Sequence, residues 1–228
     1  MKRLWLLLIV CACARKPPLP ILNYHSIRAD GSDPFSMSPE SFAAQLDWLA
    51  KAGYRTVLLH DLIEGRREKA VVLTFDDGTA DAVSIVLPAL RRRGMRATFF
   101  IATGLVGTPG FMNWAEIAAL AAAGMEIGSH TVSHAHLADL PGDRVREELT
   151  SSKAELERHL GRPVEAIAYP YNSVRWSIVR AARYAGYRIG VSGPSHGGGD
   201  LINLERISLK RGITLPEYQR AVEGLPAH

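Results

Sequence analysis

Two short stretches carry side chains that could do chemistry together. Thr74-Phe75-Asp76-Asp77-Gly78 sets two adjacent carboxylates at the end of an apolar run, and His130-Thr131-Val132-Ser133-His134 repeats a histidine after four residues. One carboxylate and two imidazoles form a donor set for a divalent cation such as Zn²⁺, which keeps a coordination position open in catalytic sites. Histidines four apart bring both rings to one point if the segment turns as a helix. His136 is a rival ligand, but two residues from His134 it fits a shared helical face poorly. Adjacent residues on an extended strand point to opposite faces, so Asp76 and Asp77 share a site only if the strand exit bends. Gly78 makes such a turn plausible. Each stretch also has a plainer reading: an acidic pair can cap the next helix, and a histidine can be structural.

Two further stretches are weaker. Asn23-Tyr24-His25-Ser26-Ile27 ends the first strand and in isolation reads as a polar strand end; Ala168-Tyr169-Pro170-Tyr171-Asn172 by itself says only turn. What connects all four is the set of elements that must carry them. Strands are expected over 21–25, 55–59, 71–75, 97–101, 125–129, 165–169, 187–191 and 207–210. Helices are expected over 39–52, 80–93, 114–123, 143–160, 173–185 and 216–222. Ser38 before Pro39, and Thr214 with Glu217 three residues on, have capping chemistry. Ala52-Gly53-Tyr54, Arg93-Gly94-Met95, Ala123-Gly124-Met125 and Ala185-Gly186-Tyr187 repeat one device, a helix end whose glycine turns the chain back into a strand. Repeated helix–glycine–strand units imply parallel strands with helices outside. The expected fold is a distorted (β/α) barrel of seven or eight parallel strands, with an open doubly wound sheet as the alternative. Each chemical stretch then falls just past the carboxyl end of a strand, the rim where such barrels assemble active sites.

The rest of the sequence bounds the possibilities. At 228 residues the chain suits one sizeable core. Its net charge of +4 is spread along it, and the densest run, Arg91-Arg92-Arg93, suits the solvated last turn of a helix, so nothing points to nucleic acid. Met1-Lys2-Arg3 followed by an apolar run resembles an export signal, too short for an ordinary membrane-spanning helix. Val10-Cys11-Ala12-Cys13 resembles a lipobox, with Cys13 the residue to be lipidated and membrane attachment the consequence, although Cys11 is an unusual occupant; plain cleavage or an uncleaved anchor is the alternative. Both cysteines lie there, so the remainder has neither disulfides nor a cysteine metal site. The expected division is 1–14 as signal or lipoprotein-type segment, 15–19 as tether, and 20–228 as one catalytic domain, exported to the cell envelope or beyond.

Thr74-Phe75-Asp76-Asp77-Gly78 followed by His130-Thr131-Val132-Ser133-His134 resembles the polysaccharide deacetylase family, carbohydrate esterase family 4 or NodB homology domain. The resemblance runs from about residue 20 to the C-terminus. Tyr24-His25, Ser38-Pro39-Glu40-Ser41-Phe42 and Phe111-Met112-Asn113-Trp114 resemble the branch acting on poly-β-1,6-N-acetylglucosamine, a circularly rearranged form of the barrel. The resemblance implies a divalent metal, Zn²⁺ first, on Asp77, His130 and His134. It implies Asp76 as general base, His25 as acid for the leaving amine, and the Tyr171 backbone N–H as oxyanion donor, with Tyr169 and Trp114 contacting substrate. The substrate would be an acetylated amino-sugar polysaccharide; peptidoglycan, chitin-type oligomers and O-acetylated xylan are alternatives, as is a carbohydrate-binding relic without turnover. A relic would have lost a ligand or the base, and neither is lost. A phosphatase of the haloacid-dehalogenase type would need Asp-x-Asp, which Asp76-Asp77-Gly78-Thr79 does not provide.

The sequence departs from the family pattern in two places. Asn172 stands where a glycine is usual, and Ala168 stands where many members carry an arginine against the base. Arg206, in Leu204-Glu205-Arg206-Ile207-Ser208, is a basic candidate to replace it by pairing with Asp76; a surface salt bridge is the competing expectation. If His25 is not the acid, His196 is next; His228 ends the chain without a family context.

Overall fold

The computed structural model describes residues 19–29, 33–65, 69–194 and 200–224. The elements are β1 (Ile21–Tyr24), α1 (Pro39–Lys51), β2 (Arg55–Val57), β3 (Ala70–Phe75), α2 (Leu87–Arg91), β4 (Thr98–Ile101), α3 (Trp114–Ala122), β5 (Glu126–Ser129), α4 (Gly142–Leu160), β6 (Ala166–Ala168), α5 (Trp176–Tyr184), β7 (Ile189–Ser192), β8 (Leu204–Glu205), β9 (Ile207–Ser208) and α6 (Leu215–Glu223). The signal-like segment, Cys13, most of the tether, His196 and His228 lie outside the described residues.

The strands run in the order β8-β7-β6-β5-β4-β3-β1-β9, with β2 beside the start of β3, and every pairing is parallel. The sheet curls into a nearly closed (β/α) barrel rather than an open sheet. Residues 204–208 make the closure: β8 pairs with β7, β9 pairs with β1, and only Arg206 separates them. Of the strand expected over 207–210 only 207–208 forms, and a second short piece at 204–205 precedes it, because one segment changes partner across the seam.

Alternation along β3 sorts the core. Val71, Leu73 and Phe75 pack beneath the helices, whereas Ala70 and Val72 join Phe100, Ala166, Ala168 and Val191 in the other cluster, inside the barrel. All six β3 residues are buried, as the continuous apolar run requires of a strand covered on both sides. Gly128 makes room for this filling: a Cβ there would lie 2.6 Å from the Phe100 ring.

Helix starts follow their caps. Ser38 accepts from the Ser41 N–H, while Thr214 with Glu217, and Asn113 with Glu116, form reciprocal pairs. Two helices differ from expectation. Over 80–93 the chain makes a widened turn at Ala82–Val86 before α2. Pro88 cannot donate to the carbonyl one turn back and its ring needs space there, which a wider turn provides. Helix α5 starts at Trp176 rather than Ser173, because Tyr171 and Asn172 adopt left-handed backbone (φ 55° and 56°) and use those residues in a turn.

Candidate active site

The even-numbered alternation of β3 carries Asp76 into the barrel mouth, where it is buried and its N–H still donates to the Tyr24 carbonyl (3.0 Å). Asp77 would then point away. Instead its backbone is left-handed (φ 73°), as is that of Gly78 (φ 82°), so the bend that lets two neighbouring acids share a site begins at Asp77 itself.

The histidine segment is not a helical turn, which corrects the geometry expected of it. Thr131 (φ 66°) and His134 (φ 56°) are left-handed, and the segment is a loop clamped from two sides. On one side the N–H groups of Thr103 and Gly104 donate to the Thr131 and Val132 carbonyls (3.1 and 2.8 Å). On the other, buried Glu148 of α4 accepts from the N–H groups of Val132 and Ser133 (2.9 and 2.8 Å) and from the Ser133 hydroxyl (2.6 Å). Glu148 was not singled out in the sequence. Its signal was there: it shares a helix face with Val145, Leu149, Ser152 and Leu156, where an unpaired charge would be costly.

This loop brings both imidazoles to Asp77. Its Oδ1 lies 3.5 Å from His130 Nε2 and 3.2 Å from His134 Nε2, and the three donor atoms fall within 4.8 Å of one another. The His130 Nδ1 faces the Ala168 carbonyl at 2.8 Å. A carbonyl can only accept, so Nδ1 carries a proton, and in the neutral ring Nε2 keeps a lone pair on the side of Asp77. Asp77 Oδ1 is buried, and neither ring nitrogen facing it makes a well-aligned hydrogen bond to it. Lone pairs converging on one point, with one imidazole fixed by a carbonyl behind it, fit a divalent cation. Burial resists ionisation of Asp77, but His130, His134 and, more remotely, His25 outweigh it and hold the carboxyl well below the usual range.

Asp76 has a different partner. Arg206 donates from both terminal nitrogens to its two oxygens, each at 2.7 Å, and from one of them to Thr74 Oγ1 at 3.1 Å. The side chains are 1% and 4% exposed, so the competing expectation of a surface salt bridge for Arg206 is set aside. The guanidinium also lies over the Phe100 ring, 5.7 Å from its centroid. Burial would raise the Asp76 pKa, yet Arg206, then His130 and His25, carry it below the ordinary value. For His130, burial opposes charging, while Asp76, Asp77 and the Ala168 carbonyl move its pKa upward. Ala168 itself faces the barrel interior among apolar neighbours, and the arginine missing there enters from the closing seam instead.

The remaining candidates separate. His25 stacks on Phe35 (4.8 Å between centroids), and its Nδ1 is buried without a partner. Tyr171 lies at the rim, with its hydroxyl 3.2 Å from His134 Nδ1 and its ring stacked on His136 at 3.7 Å. His136 thus backs Tyr171 rather than joining the cluster. The bonds of this turn run from the Asn172 N–H to the Tyr169 carbonyl and from the Ser173 N–H to the Pro170 carbonyl, leaving the Tyr171 N–H outside them. Tyr169 is buried, its hydroxyl donates to the Ile202 carbonyl (2.9 Å), and burial raises its pKa. Trp114 takes no part in the cluster either, since its indole stacks on His159 of α4 at 3.7 Å. Asp81, which the sequence did not mark, accepts the Ile27 N–H at 2.6 Å and ties the segment after His25 to the start of the helix after β3.

Comparison with known proteins identifies a family and several relatives. A family model described as Polysaccharide deacetylase matches residues 64–190. Over 216 residues the chain is 28% identical to YxkH of Bacillus subtilis (strain 168), a polysaccharide deacetylase by name, covering 91% of this chain and 77% of that one. It is 28% identical over 134 residues to the poly-beta-1,6-N-acetyl-D-glucosamine N-deacetylase of Escherichia coli (strain K12), covering 48% of this chain but 20% of that protein. Among solved structures, the Streptococcus pyogenes deacetylase PplD in complex with acetate superposes with a TM-score of 0.81 at 25% identity, covering 90% of this chain and 97% of that one.

Proposed function

This chain belongs to the polysaccharide deacetylase family, and on that premise we propose that it is an exported, metal-dependent hydrolase removing N-acetyl groups from an N-acetylglucosamine-containing polysaccharide. One observation carries the reading. Asp77 Oδ1 is buried, makes no well-aligned hydrogen bond, and faces two imidazole nitrogens, one of them on a ring oriented by the Ala168 carbonyl.

Asp77, His130 and His134 would hold the ion, with Zn²⁺ the best match to one carboxylate and two imidazoles. When bound, such an ion acidifies a water molecule and polarises the acetyl carbonyl. Asp76 would accept the proton of the attacking water, kept ionised and oriented by the two bonds from Arg206. The Tyr171 N–H is the donor for the oxygen that becomes negative as water adds to the carbonyl carbon. His25 would deliver a proton to the sugar nitrogen as the C–N bond breaks, leaving acetate and a free amine. Export rests on the basic and apolar N-terminus, and attachment would follow lipidation of Cys13. Among the described residues no helix is long and apolar enough to cross a membrane.

The test is acetate release from poly-β-1,6-N-acetylglucosamine, chitin-type oligomers, peptidoglycan and O-acetylated xylan, with chelator and then with Zn²⁺ restored. Release from an N-acetylated glycan that stops with chelator and returns with metal is expected. No acetate from any of them with metal-loaded protein, or full activity after metal is stripped, would end the proposal.

A further inference from the structure

Helix α5 presents a stripe of exposed side chains that the reaction does not use. It buries Ile178 and Ala182 against the barrel, while Trp176, Arg180 and Tyr184 recur every fourth residue along its outer face. Trp176 is 71% and Tyr184 81% exposed, the two most exposed large apolar side chains among the described residues. The Arg180 guanidinium lies 4.6 Å from the centroid of the Trp176 indole. It lies over one face of a ring that stays largely exposed. The two aromatic rings stand two helical turns apart, about 12 Å along the axis. Exposed aromatics repeated on one face mark interaction surfaces more often than scattered ones do.

We infer that this stripe is an accessory binding site for the acetylated polysaccharide, outside the reaction centre. The inference rests on the deacetylase reading for the identity of the polymer. Three observations favour a sugar chain. A pyranose ring offers an apolar C–H face and a rim of hydroxyls, which a flat ring beside a guanidinium matches in both respects. The stripe is also continuous with the candidate site. Helix α5 begins just after the turn carrying Tyr171, itself 57% exposed and bonded to His134, so exposed rings run from the barrel rim down its flank. Charge points the same way. Arg175 and Arg180 are exposed and form no ion pair among the described residues, whereas Arg183 is paired with Asp200. A basic face accepts a neutral acetylated chain and repels the amine-bearing product, so it favours unreacted polymer.

Tryptophan, tyrosine and arginine also serve at membrane surfaces. A helix lying in a bilayer, however, buries a broad apolar face. The apolar face of α5 is already committed to the barrel.

Binding is best measured in metal-loaded Asp76→Asn protein, where turnover does not consume the ligand. The probes are a long soluble N-acetylglucosamine polymer, its fully deacetylated form, and anionic phospholipid vesicles. Adding Trp176→Ala and Tyr184→Ala should weaken binding of the acetylated polymer about tenfold, a loss consistent with removing two aromatic contacts. Metal content and thermal midpoint should stay at parental values. The parent should bind the acetylated polymer more tightly than the deacetylated one, and Arg180→Gln should narrow that gap. Unchanged polymer affinity in the double variant overturns the inference, as does loss of vesicle binding alone. Acetate release by the unmutated protein is read separately. If acetate is released and the stripe variants bind normally, only the accessory site falls; if none is released while polymer binding depends on the stripe, only the deacetylase reading falls.

Discussion

Replacing Arg206 with methionine separates the base from its support without opening the barrel. The seam is held by main chain, through the Arg206 N–H to the Ser192 carbonyl (3.1 Å) and the pairings of β8 and β9, which Met can keep. The side chain is another matter. Removing one partner from a buried ion pair costs about 3–5 kcal/mol, because the remaining charge is stranded. Here the stranded group is the Asp76 carboxylate, 4% exposed and bonded through both oxygens to Arg206. The Asp76 pKa now lies below its ordinary value, so its contribution to stability is present above the unfolded pKa and is lost as pH falls through the folded one. Without Arg206, burial is opposed only by His130 and His25, and the folded pKa is expected to rise above the unfolded one. The sign then reverses: the variant gains stability as Asp76 takes up a proton and loses it as pH rises through the raised pKa.

Denaturant unfolding of metal-free protein from pH 4 to pH 8 should therefore show a parent–variant gap that is several kcal/mol wide at the alkaline end, on the order of the figure above, and narrows towards pH 4. With metal restored, the acidic limb of kcat/KM should move up by about two units, since each unit corresponds to about 1.4 kcal/mol. Activity near neutrality should fall about a hundredfold. In an Asp76→Asn background the same Arg206 substitution should cost much less, because no carboxylate is left stranded. A gap that stays constant from pH 4 to pH 8, together with an unmoved acidic limb, would mean that Arg206 only fills and closes the barrel, and the reasoning would be refuted.

Other substitutions test the neighbouring assignments. Asp77→Ala, His130→Ala and His134→Ala should each strongly reduce bound Zn²⁺ measured by atomic absorption, while His136→Ala, which removes only the stack on Tyr171, should not; full occupancy in His134→Ala would remove it from the ligand set. Asp76→Asn should keep its metal but slow turnover by about a hundredfold or more, and His25→Ala should act similarly; near-normal turnover in the latter would return the acid role to another group, His196 first. Glu148→Gln cannot reproduce three accepted bonds, so it should weaken Zn²⁺ binding in chelator competition by about 10- to 100-fold while turnover at saturating metal changes less. Unaltered metal affinity there would confine Glu148 to holding the fold.

The strand sequence and the four rim stretches were legible because a parallel barrel writes itself locally. A strand buried on both sides is a run such as 70–75, and its return is a helix ending in glycine. What stayed hidden was fixed by contacts far apart in sequence or by backbone signs that spacing does not reveal. The histidine spacing fitted a helical turn, yet the loop depends on left-handed Thr131 and His134 and on a carboxylate sixteen residues beyond Val132. The partners of Tyr169 and Trp114, the Ile202 carbonyl and the His159 ring, also lie far away in sequence and left no local sign. Arg206 could be suspected from the missing arginine at 168. Its side chain reaches Asp76 because the last strand breaks at the seam, a feature without a local signature.

The consequence for the site is a division between two adjacent acids that composition alone would treat as equivalent. On an extended strand Asp76 and Asp77 would face opposite ways, and one of them would be lost to the site. Left-handed backbone at Asp77 turns it across the mouth towards the two imidazoles, while Asp76 keeps the inward direction set by β3. Each carboxylate then meets positive charge of a different kind. Asp77 faces two imidazole nitrogens, which can serve a cation as ligands. Asp76 is locked to a permanently charged guanidinium, which cannot be deprotonated and occupies both its oxygens in one plane. A carboxylate held that way resists migrating into the cation's coordination, yet its remaining lone pairs can accept a proton from a water molecule beside His130, whose Nε2 lies 4.0 Å away. The Arg206 contact thus prevents the two acids from exchanging roles, and it is the part of the site supplied by the closing of the barrel.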